Sequence, residues 1–196
     1  MVWDMLNKPI WALTASELCK KTKNNELSAT EITVACLEQT KKVNPQLNAI
    51  VDDMSDEAIK RAESLDSEVA AGKPKGRLFG VPVTVKINVD QKGYATSNGV
   101  TALKNLIAKT NAPIVDHLMD AGAVFVGRTN TPEFSFRADT ENPLYGRTNN
   151  PWGKHLSPGG SSGGASSAVM AGMCTCLLYT SDAADDTPCV DLGGRR

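Results

Sequence analysis

The amino-acid sequence predicts an α/β fold. Three helical patterns occupy roughly the first 70 residues, and a stretch with a period of two follows at residues 81–89. A further helical pattern then separates this stretch from an apolar segment at residues 123–127. A helix between two strands favours their parallel pairing in one sheet. With 196 residues, the chain can bury one hydrophobic core and form one or two domains.

Two capping boxes predict where the first two helices begin. Thr14–Glu17 and Ser28–Glu31 each place a hydroxyl three residues before a glutamate, so that both side chains can satisfy free backbone N–H groups. We expect the second helix to run to Val43 and to stop before Pro45, which has no N–H to donate. A third helix, with Gly72 as its C-terminal cap, carries apolar residues at helical spacing at Ala58, Ala62, Leu65 and Val69.

The next segments predict two strands joined by a helix. Residues 81–89 alternate between apolar and polar types, which predicts a strand with Lys86 on the face opposite the valines. Pro113 suits the first turn of a helix that Gly122 would end, and residues 123–127 have the pattern of a second strand. The residues expected to point inward from this helix are Ile114, Val115, Leu118 and Met119.

Composition argues against several classes of protein. The net charge is −1 with acidic and basic residues interspersed, so we expect no nucleic-acid partner and no membrane surface. No apolar run reaches the length of a membrane span, and the N-terminus lacks the basic and apolar regions of a secretory signal. The 5 cysteines have no zinc-binding spacing and 2 histidines are present, so we expect no metal, no cofactor and a reducing, cytoplasmic location.

The run of glycines and serines at residues 157–164 is the strongest functional signal in the chain. It reads Ser-Pro-Gly-Gly-Ser-Ser-Gly-Gly, and its glycines allow sharp turns and close approach. A flexible linker is one interpretation, but the flanking Pro151-Trp152 and the helix-compatible residues 165–173 disfavour it. A phosphate-binding loop is a second, although the Lys-Ser/Thr ending of a P-loop is missing. The third is a catalytic loop in which a serine relays protons.

Lys86 is the candidate base for such a serine. Most lysines are solvated, but this one lies between Val85 and Ile87 in a stretch that we expect to be buried on both faces. Burial disfavours the charged ammonium form, and we therefore expect a lowered pKa for Lys86. A neutral lysine can accept a proton, and Ser–Lys pairs are a known variant of the serine triad.

Four segments, taken in order, resemble the motifs of the amidase signature family, and the resemblance extends over roughly residues 10–174. Ile87 departs from the pattern, since many members have Asp there. The resemblance implies a mixed β-sheet core surrounded by helices, truncated here because the later strands are missing. The four segments are residues 80–86, 121–134, 145–152 and 158–164.

The resemblance also implies catalytic roles. Lys86 would be the general base and Ser161 the bridging serine, joined to Gly160 by a cis peptide bond. Ser162, Gly160 and Gly163 would support this arrangement. In the family, the bridging serine relays a proton from a nucleophilic serine to the lysine, and backbone N–H groups stabilise the oxyanion.

The nucleophilic serine of the family is missing from this sequence. Asp185 stands at its position, and the chain around it has no glycine pair. Ser181 lies nearby without the required glycines. Asp191–Arg195 imitates the Asp-x-Gly-Gly-Ser motif, with arginine in place of the serine. We therefore expect an amidase by descent that is inactive as written.

The C-terminal tail resembles the translation of a sequencing-library adapter. Residues 176–185 and 190–196 can both be encoded by parts of the same transposon-end adapter. We therefore expect residues 1–175 to be the N-terminal part of a single amidase domain and residues 176–196 to be foreign to it.

Three functions stay open at this point. The first is hydrolysis of a carboxylic amide C–N bond by a Ser-cisSer-Lys mechanism, with a small-molecule amide as substrate. The second is the A subunit of a glutamine-dependent tRNA amidotransferase, which has the same site and obligate partner subunits. The third is a non-catalytic phosphate- or nucleotide-binding protein.

Overall fold

The computed structural model of the chain describes residues 8–178, which contain five α-helices and six β-strands. The helices are α1 (Ala15–Lys23), α2 (Ala29–Leu47), α3 (Ser55–Ala70), α4 (Pro113–Asp120) and α5 (Gly163–Met170). The strands are β1 (Ile50–Asp53), β2 (Pro82–Lys86), β3 (Val124–Thr129), β4 (Glu141–Asn142), β5 (Gly146–Arg147) and β6 (Cys176–Leu178). Within residues 8–178, no helix is both long and apolar enough to span a bilayer.

The main sheet has four strands in the order β1-β3-β2-β6. β2 pairs in parallel with β3 and with β6, while β1 runs antiparallel to β3, so the sheet is mixed. The predicted parallel pairing across α4 is confirmed. β4 and β5 form a separate antiparallel pair.

Both faces of the central strands are covered. On one face, Val124 and Val126 pack with buried residues of α2, α3 and α5. On the other, Phe125 joins the valines of β2 and Val115 of α4. Apolar side chains therefore cover both faces of the sheet at these strands. Every residue of β2 and of β3 is buried as a result.

The predicted strand at residues 81–89 is shorter than expected. β2 ends at Lys86, after which the chain turns and the N–H of Val89 donates to the carbonyl of Lys86 at 3.0 Å. The alternation of apolar and polar residues continues past the strand because Ile87 and Val89, which lie in the turn, are also buried in the core. The second predicted strand is instead longer than expected at its end, since β3 extends two residues beyond Gly127. The prediction that Ile114 of α4 points inward is wrong, since 40% of this residue is exposed.

The prediction that the second helix stops before Pro45 is also wrong, since α2 continues through this proline to Leu47. Pro45 lies in the last turn, where its missing N–H removes a single hydrogen bond. The end of the helix is stabilised in another way. Asn48 adopts a left-handed conformation with φ 49° and donates its N–H to the Asn44 carbonyl at 2.8 Å. The side-chain oxygen of Asn44 also accepts the N–H groups of Ala49 and Ile50, at 3.0 Å each.

Both predicted capping boxes are present, at the starts of α1 and α2. At the second, the backbone N–H of Ser28 donates to Glu31 and holds the pKa of this carboxyl below its usual value. Asp66 of α3 adds a contact that the sequence did not indicate. Its carboxylate accepts the N–H groups of Ala29 and Thr30 at 2.9 Å each and the Thr30 hydroxyl at 2.7 Å.

We expect Asp66→Ala to destabilise the protein by about 1–2 kcal/mol, because it leaves the first N–H groups of α2 without an acceptor. Urea unfolding measures this change. Glu63→Ala, at an exposed position on the same helix, is the control and should change the free energy of unfolding little. Equal effects of the two substitutions would contradict the role given to Asp66.

Candidate active site

Lys86 lies at the carboxyl end of β2 and is fully buried. Its Nζ is 2.8 Å from Ser161 Oγ and 3.2 Å from Ser162 Oγ. Register pairing places Thr129, the last residue of β3, beside it in the sheet. The structure thus brings the predicted lysine to both serines of the glycine-rich loop.

The loop that carries Ser161 is held in an unusual backbone conformation. Gly159 has a φ of +83°, and the peptide bond between Gly160 and Ser161 is cis. A Cβ on Gly160 would lie 2.3 Å from the carbonyl oxygen of Arg137, so no larger residue fits without movement of the backbone. The loop is therefore wedged against the segment that precedes β4.

Ser162 occupies the N-cap position of α5 but does not cap the helix. A serine there usually accepts a hydrogen bond from a backbone N–H of the first turn, which is worth about 1 kcal/mol. Here its hydroxyl instead accepts from Lys86, and its side chain is buried. The Ser162 hydroxyl therefore hydrogen-bonds to the lysine instead of capping α5.

Thr140 supports the same loop from the other side. Its hydroxyl donates to the Gly159 carbonyl at 2.8 Å and accepts the Gly163 N–H at 3.1 Å. A Cβ on Gly163 would lie 2.4 Å from this hydroxyl oxygen, which explains why a glycine begins α5. Sequence reasoning missed Thr140, because nothing local links it to a loop about twenty residues away.

Asn130 and Asn142 connect the chain that follows β3 to the β4–β5 hairpin. The side-chain oxygen of Asn130 accepts the N–H of Thr131 at 3.0 Å and the amide of Asn142 at 2.7 Å. The amide of Asn142 also donates to the carbonyl of Thr131 at 2.7 Å. Both asparagines and Thr131 are buried. A usable signal existed, since polar residues after a buried parallel strand often line a site.

Arg128 fixes the turn that leaves β2. Its buried guanidinium donates to Asp52 at 3.0 Å, to the Ala95 carbonyl at 2.7 Å and to the Val89 carbonyl at 2.9 Å. It also lies 5.5 Å from the centre of the Tyr94 ring. Burial lowers the pKa of Arg128 and raises the pKa of Asp52, although the attraction between the two opposes both shifts. The contact ties β1 and β3 to the chain beyond Lys86.

All the predicted site residues within the described range lie together: Lys86, Gly160, Ser161, Ser162 and Gly163. Asp185, Ser181 and Asp191–Arg195 lie outside the described residues. In residues 8–178, no group of three or more histidine, cysteine, aspartate or glutamate side chains is placed to hold a metal ion.

Comparison with known sequences places the chain in one protein family. The profile of the family described as Amidase matches residues 31–180. An indoleacetamide hydrolase of Bradyrhizobium diazoefficiens is 48% identical over 167 residues, which cover 85% of this chain and 32% of the hydrolase. The A subunit of a glutamyl-tRNA(Gln) amidotransferase from Carboxydothermus hydrogenoformans is 38% identical, with 83% and 34% covered. The chain thus spans about a third of the length of these relatives.

Solved structures give the same result. A bacterial aryl acylamidase of the amidase signature family superposes with a TM-score of 0.80 at 29% identity, covering 85% of this chain and 35% of the acylamidase. A fatty acid amide hydrolase superposes with a TM-score of 0.81 at 31% identity, covering 87% and 31%. The amidase signature fold predicted from the sequence is confirmed.

We expect Gly160→Ala to destabilise the protein by about 2 kcal/mol or more, because the added Cβ would meet backbone atoms that cannot rotate away. Gly72→Ala is the matched control. Gly72 has a φ of +86° but nothing within 4 Å of an added Cβ, so only the backbone penalty of about 1 kcal/mol applies. Urea unfolding distinguishes the two, and a loss at Gly160 no larger than at Gly72 would show that the loop is not wedged.

Proposed function

This chain belongs to the amidase signature family, and from that premise we propose that its complete form hydrolyses the C–N bond of a small carboxylic amide. The observation that carries the proposal is the 2.8 Å contact between Lys86 Nζ and Ser161 Oγ in a buried setting. A lysine placed there has no surface role, since it is fully removed from solvent. The proposal assigns Lys86 as general base and Ser161 as the bridging serine.

In the proposed mechanism, the Ser161 hydroxyl relays a proton between a nucleophilic serine and Lys86. The neutral amine of Lys86 accepts the Ser161 proton, while Ser161 Oγ accepts the proton of a nucleophilic serine. The nucleophile then adds to the amide carbonyl. When the tetrahedral intermediate collapses, the leaving amine of the substrate departs and takes the proton from Lys86 through Ser161. Water then attacks the resulting acyl-enzyme and gives a proton to Lys86 through Ser161. The proton returns by the same path to the nucleophilic serine as the carboxylic acid leaves. Ser161 suits this middle position because it is only partly buried, whereas Ser162 and Lys86 are covered.

The nucleophile in this scheme is not present in the sequence. Asp185 stands where the family has its serine, and a carboxylate there cannot form the same acyl-enzyme by the same proton path. We therefore propose that the chain of 196 residues does not hydrolyse amides. Its contribution is the base and the bridge of a site whose third member is missing.

A second candidate is supported by the amidotransferase relatives. Several A subunits of glutamyl-tRNA(Gln) amidotransferases are 36–42% identical to this chain over about 80% of its length. In this alternative, the same Lys86 and Ser161 would release ammonia from glutamine within a complex. Glutamine hydrolysis that requires added partner subunits would favour this alternative, and hydrolysis of a free amide without them would favour the first.

We also propose that residues 1–175 form the N-terminal part of one amidase domain and that residues 176–196 are adapter-derived. β6 does not argue against this division. It contacts Val83–Val85 of β2 through strand pairing, which depends on backbone groups more than on side chains. A foreign segment can therefore occupy the edge of the sheet.

The nucleotide sequence that encodes residues 176–181 tests the adapter origin. We expect the codons TGT CTC TTA TAC ACA TCT, in agreement with the transposon-end adapter. Because each of these amino acids has synonymous codons, agreement at every position would not arise by chance. Codons unrelated to the adapter would contradict the proposed division of the chain.

A completed protein tests the proposed site. We define it as residues 1–175 of this chain followed by the remaining C-terminal part of the Bradyrhizobium hydrolase, which restores the family's nucleophilic serine. We expect the completed protein to hydrolyse indoleacetamide, and Lys86→Ala and Ser161→Ala to reduce kcat by at least about a thousandfold. Ammonia release measures the rate, and circular dichroism checks folding.

Lys75→Ala is the control for the lysine. Its amine donates to the Thr22 carbonyl and to Asn25 at 2.7 Å, both at the C-terminal end of α1 and neither in the glycine-rich loop, so kcat should change little. A folded completed protein without activity, or full activity after Lys86→Ala, would refute the proposed function. The unsubstituted chain of 196 residues should release no ammonia in the same assay.

A further inference from the structure

Ser161 is held at its backbone as well as at its hydroxyl. Thr131 Oγ1 donates to the Ser161 carbonyl oxygen at 3.0 Å, and it lies 3.1 Å from Ser135 Oγ. Ser135 Oγ in turn accepts from the side-chain amide of Asn88 at 3.3 Å. We propose that Thr131 and Ser135 are positioning residues that hold Ser161 in place against Lys86. This inference rests on the proposed function.

The direction of each hydrogen bond follows from the number of protons. A carbonyl oxygen can only accept, so the single hydroxyl proton of Thr131 points to Ser161. The contact between Thr131 and Ser135 must then use the proton of Ser135. Ser135 has no second proton, so Asn88 must present its NH2 group rather than its oxygen. The line therefore has one consistent direction, from Asn88 through Ser135 and Thr131 to Ser161.

The line begins close to Lys86 in the chain. Lys86 is the last residue of β2, and Asn88 follows it by two residues in the turn that Arg128 secures. One side of that turn reaches the Ser161 hydroxyl directly, and the other reaches its carbonyl through two hydroxyl groups. With its carbonyl fixed, the position of Ser161 Oγ depends mainly on a single side-chain torsion. The line thus restricts the angle at which Ser161 meets the amine.

The backbone at Ser135 supports a functional interpretation. Phe134 and Ser135 are consecutive residues with φ values of 50° and 62°, a region that residues other than glycine rarely adopt. Such conformations persist where the surroundings impose them, and they cluster at functional sites. Here the strained turn places the Ser135 hydroxyl between Thr131 and Asn88. Phe134 gains little burial in return, since 56% of it is exposed.

Thr131→Val in the completed protein is the principal test. Valine keeps the shape of threonine but removes the hydroxyl, so the Ser161 carbonyl loses its donor. We expect kcat for indoleacetamide to fall about tenfold, with KM within about twofold, because the change affects proton transfer more than substrate binding. Thr131→Ser keeps the hydroxyl and should restore kcat to within about twofold of the unsubstituted value.

Two variants of Ser135 provide an independent test. Ser135→Ala and Ser135→Gly both remove the hydroxyl, but glycine also relieves the left-handed backbone, so it should fold at least as well as the alanine variant. We expect both to lower kcat by a similar factor, although their thermal stabilities differ. A kcat that instead follows stability across the pair would overturn the positioning role.

Thr22→Val is the matched control. Thr22 is a buried threonine of α1 whose hydroxyl also donates to a backbone carbonyl, that of Cys19 at 3.1 Å. Its replacement should lower stability without changing kcat. The inference fails if Thr131→Val keeps full kcat while Lys86→Ala is inactive, or if Thr131→Ser is as slow as Thr131→Val. If Lys86→Ala itself stays active, the proposed function fails instead, whatever Thr131 does.

Discussion

The removal of the Lys86 amine from water constrains the rest of the site. β2 is buried on both faces, so the amine at its carboxyl end has to find polar partners inside the protein. An unpartnered polar group there would cost several kcal/mol, roughly the net stability of a small domain. Two serine hydroxyls meet that requirement. The shape of the glycine-rich loop follows, because the loop has to bring both hydroxyls to the end of β2.

Side chains replace regular structure in the layer around this loop. Thr140 and the two asparagines bond to backbone groups that would otherwise lack partners where the chain is neither helix nor strand. Each of these side chains is short and buried, so few torsions remain free once the bonds form. The result is a rigid irregular region next to a sheet, which suits a site that must hold a hydroxyl at a fixed distance from an amine.

Local signals predicted more of this fold than long-range ones did. The capping boxes at Thr14 and Ser28 were visible because they involve residues three apart, and the valines of β2 showed the strand directly. The extent of α2 was mispredicted because the bonds made by Asn44 and Asn48 offset the effect of Pro45. Lys86 and Ser161 came from their motifs. The line through Thr131 and Ser135 could not be foreseen, since it depends on a left-handed serine and on how β2 and β3 end side by side.

The distance along the chain between Lys86 and Ser161 has a consequence for the order of folding. The two residues are 75 positions apart, whereas α2, β1 and α3 follow one another directly and share one apolar cluster. Closing a long loop costs entropy that only later contacts repay. Early helix pairing followed by late docking of the glycine-rich loop is therefore the favoured route. The glycine-rich loop runs directly into α5, which packs in that same apolar cluster, so the site should form together with the last part of the core.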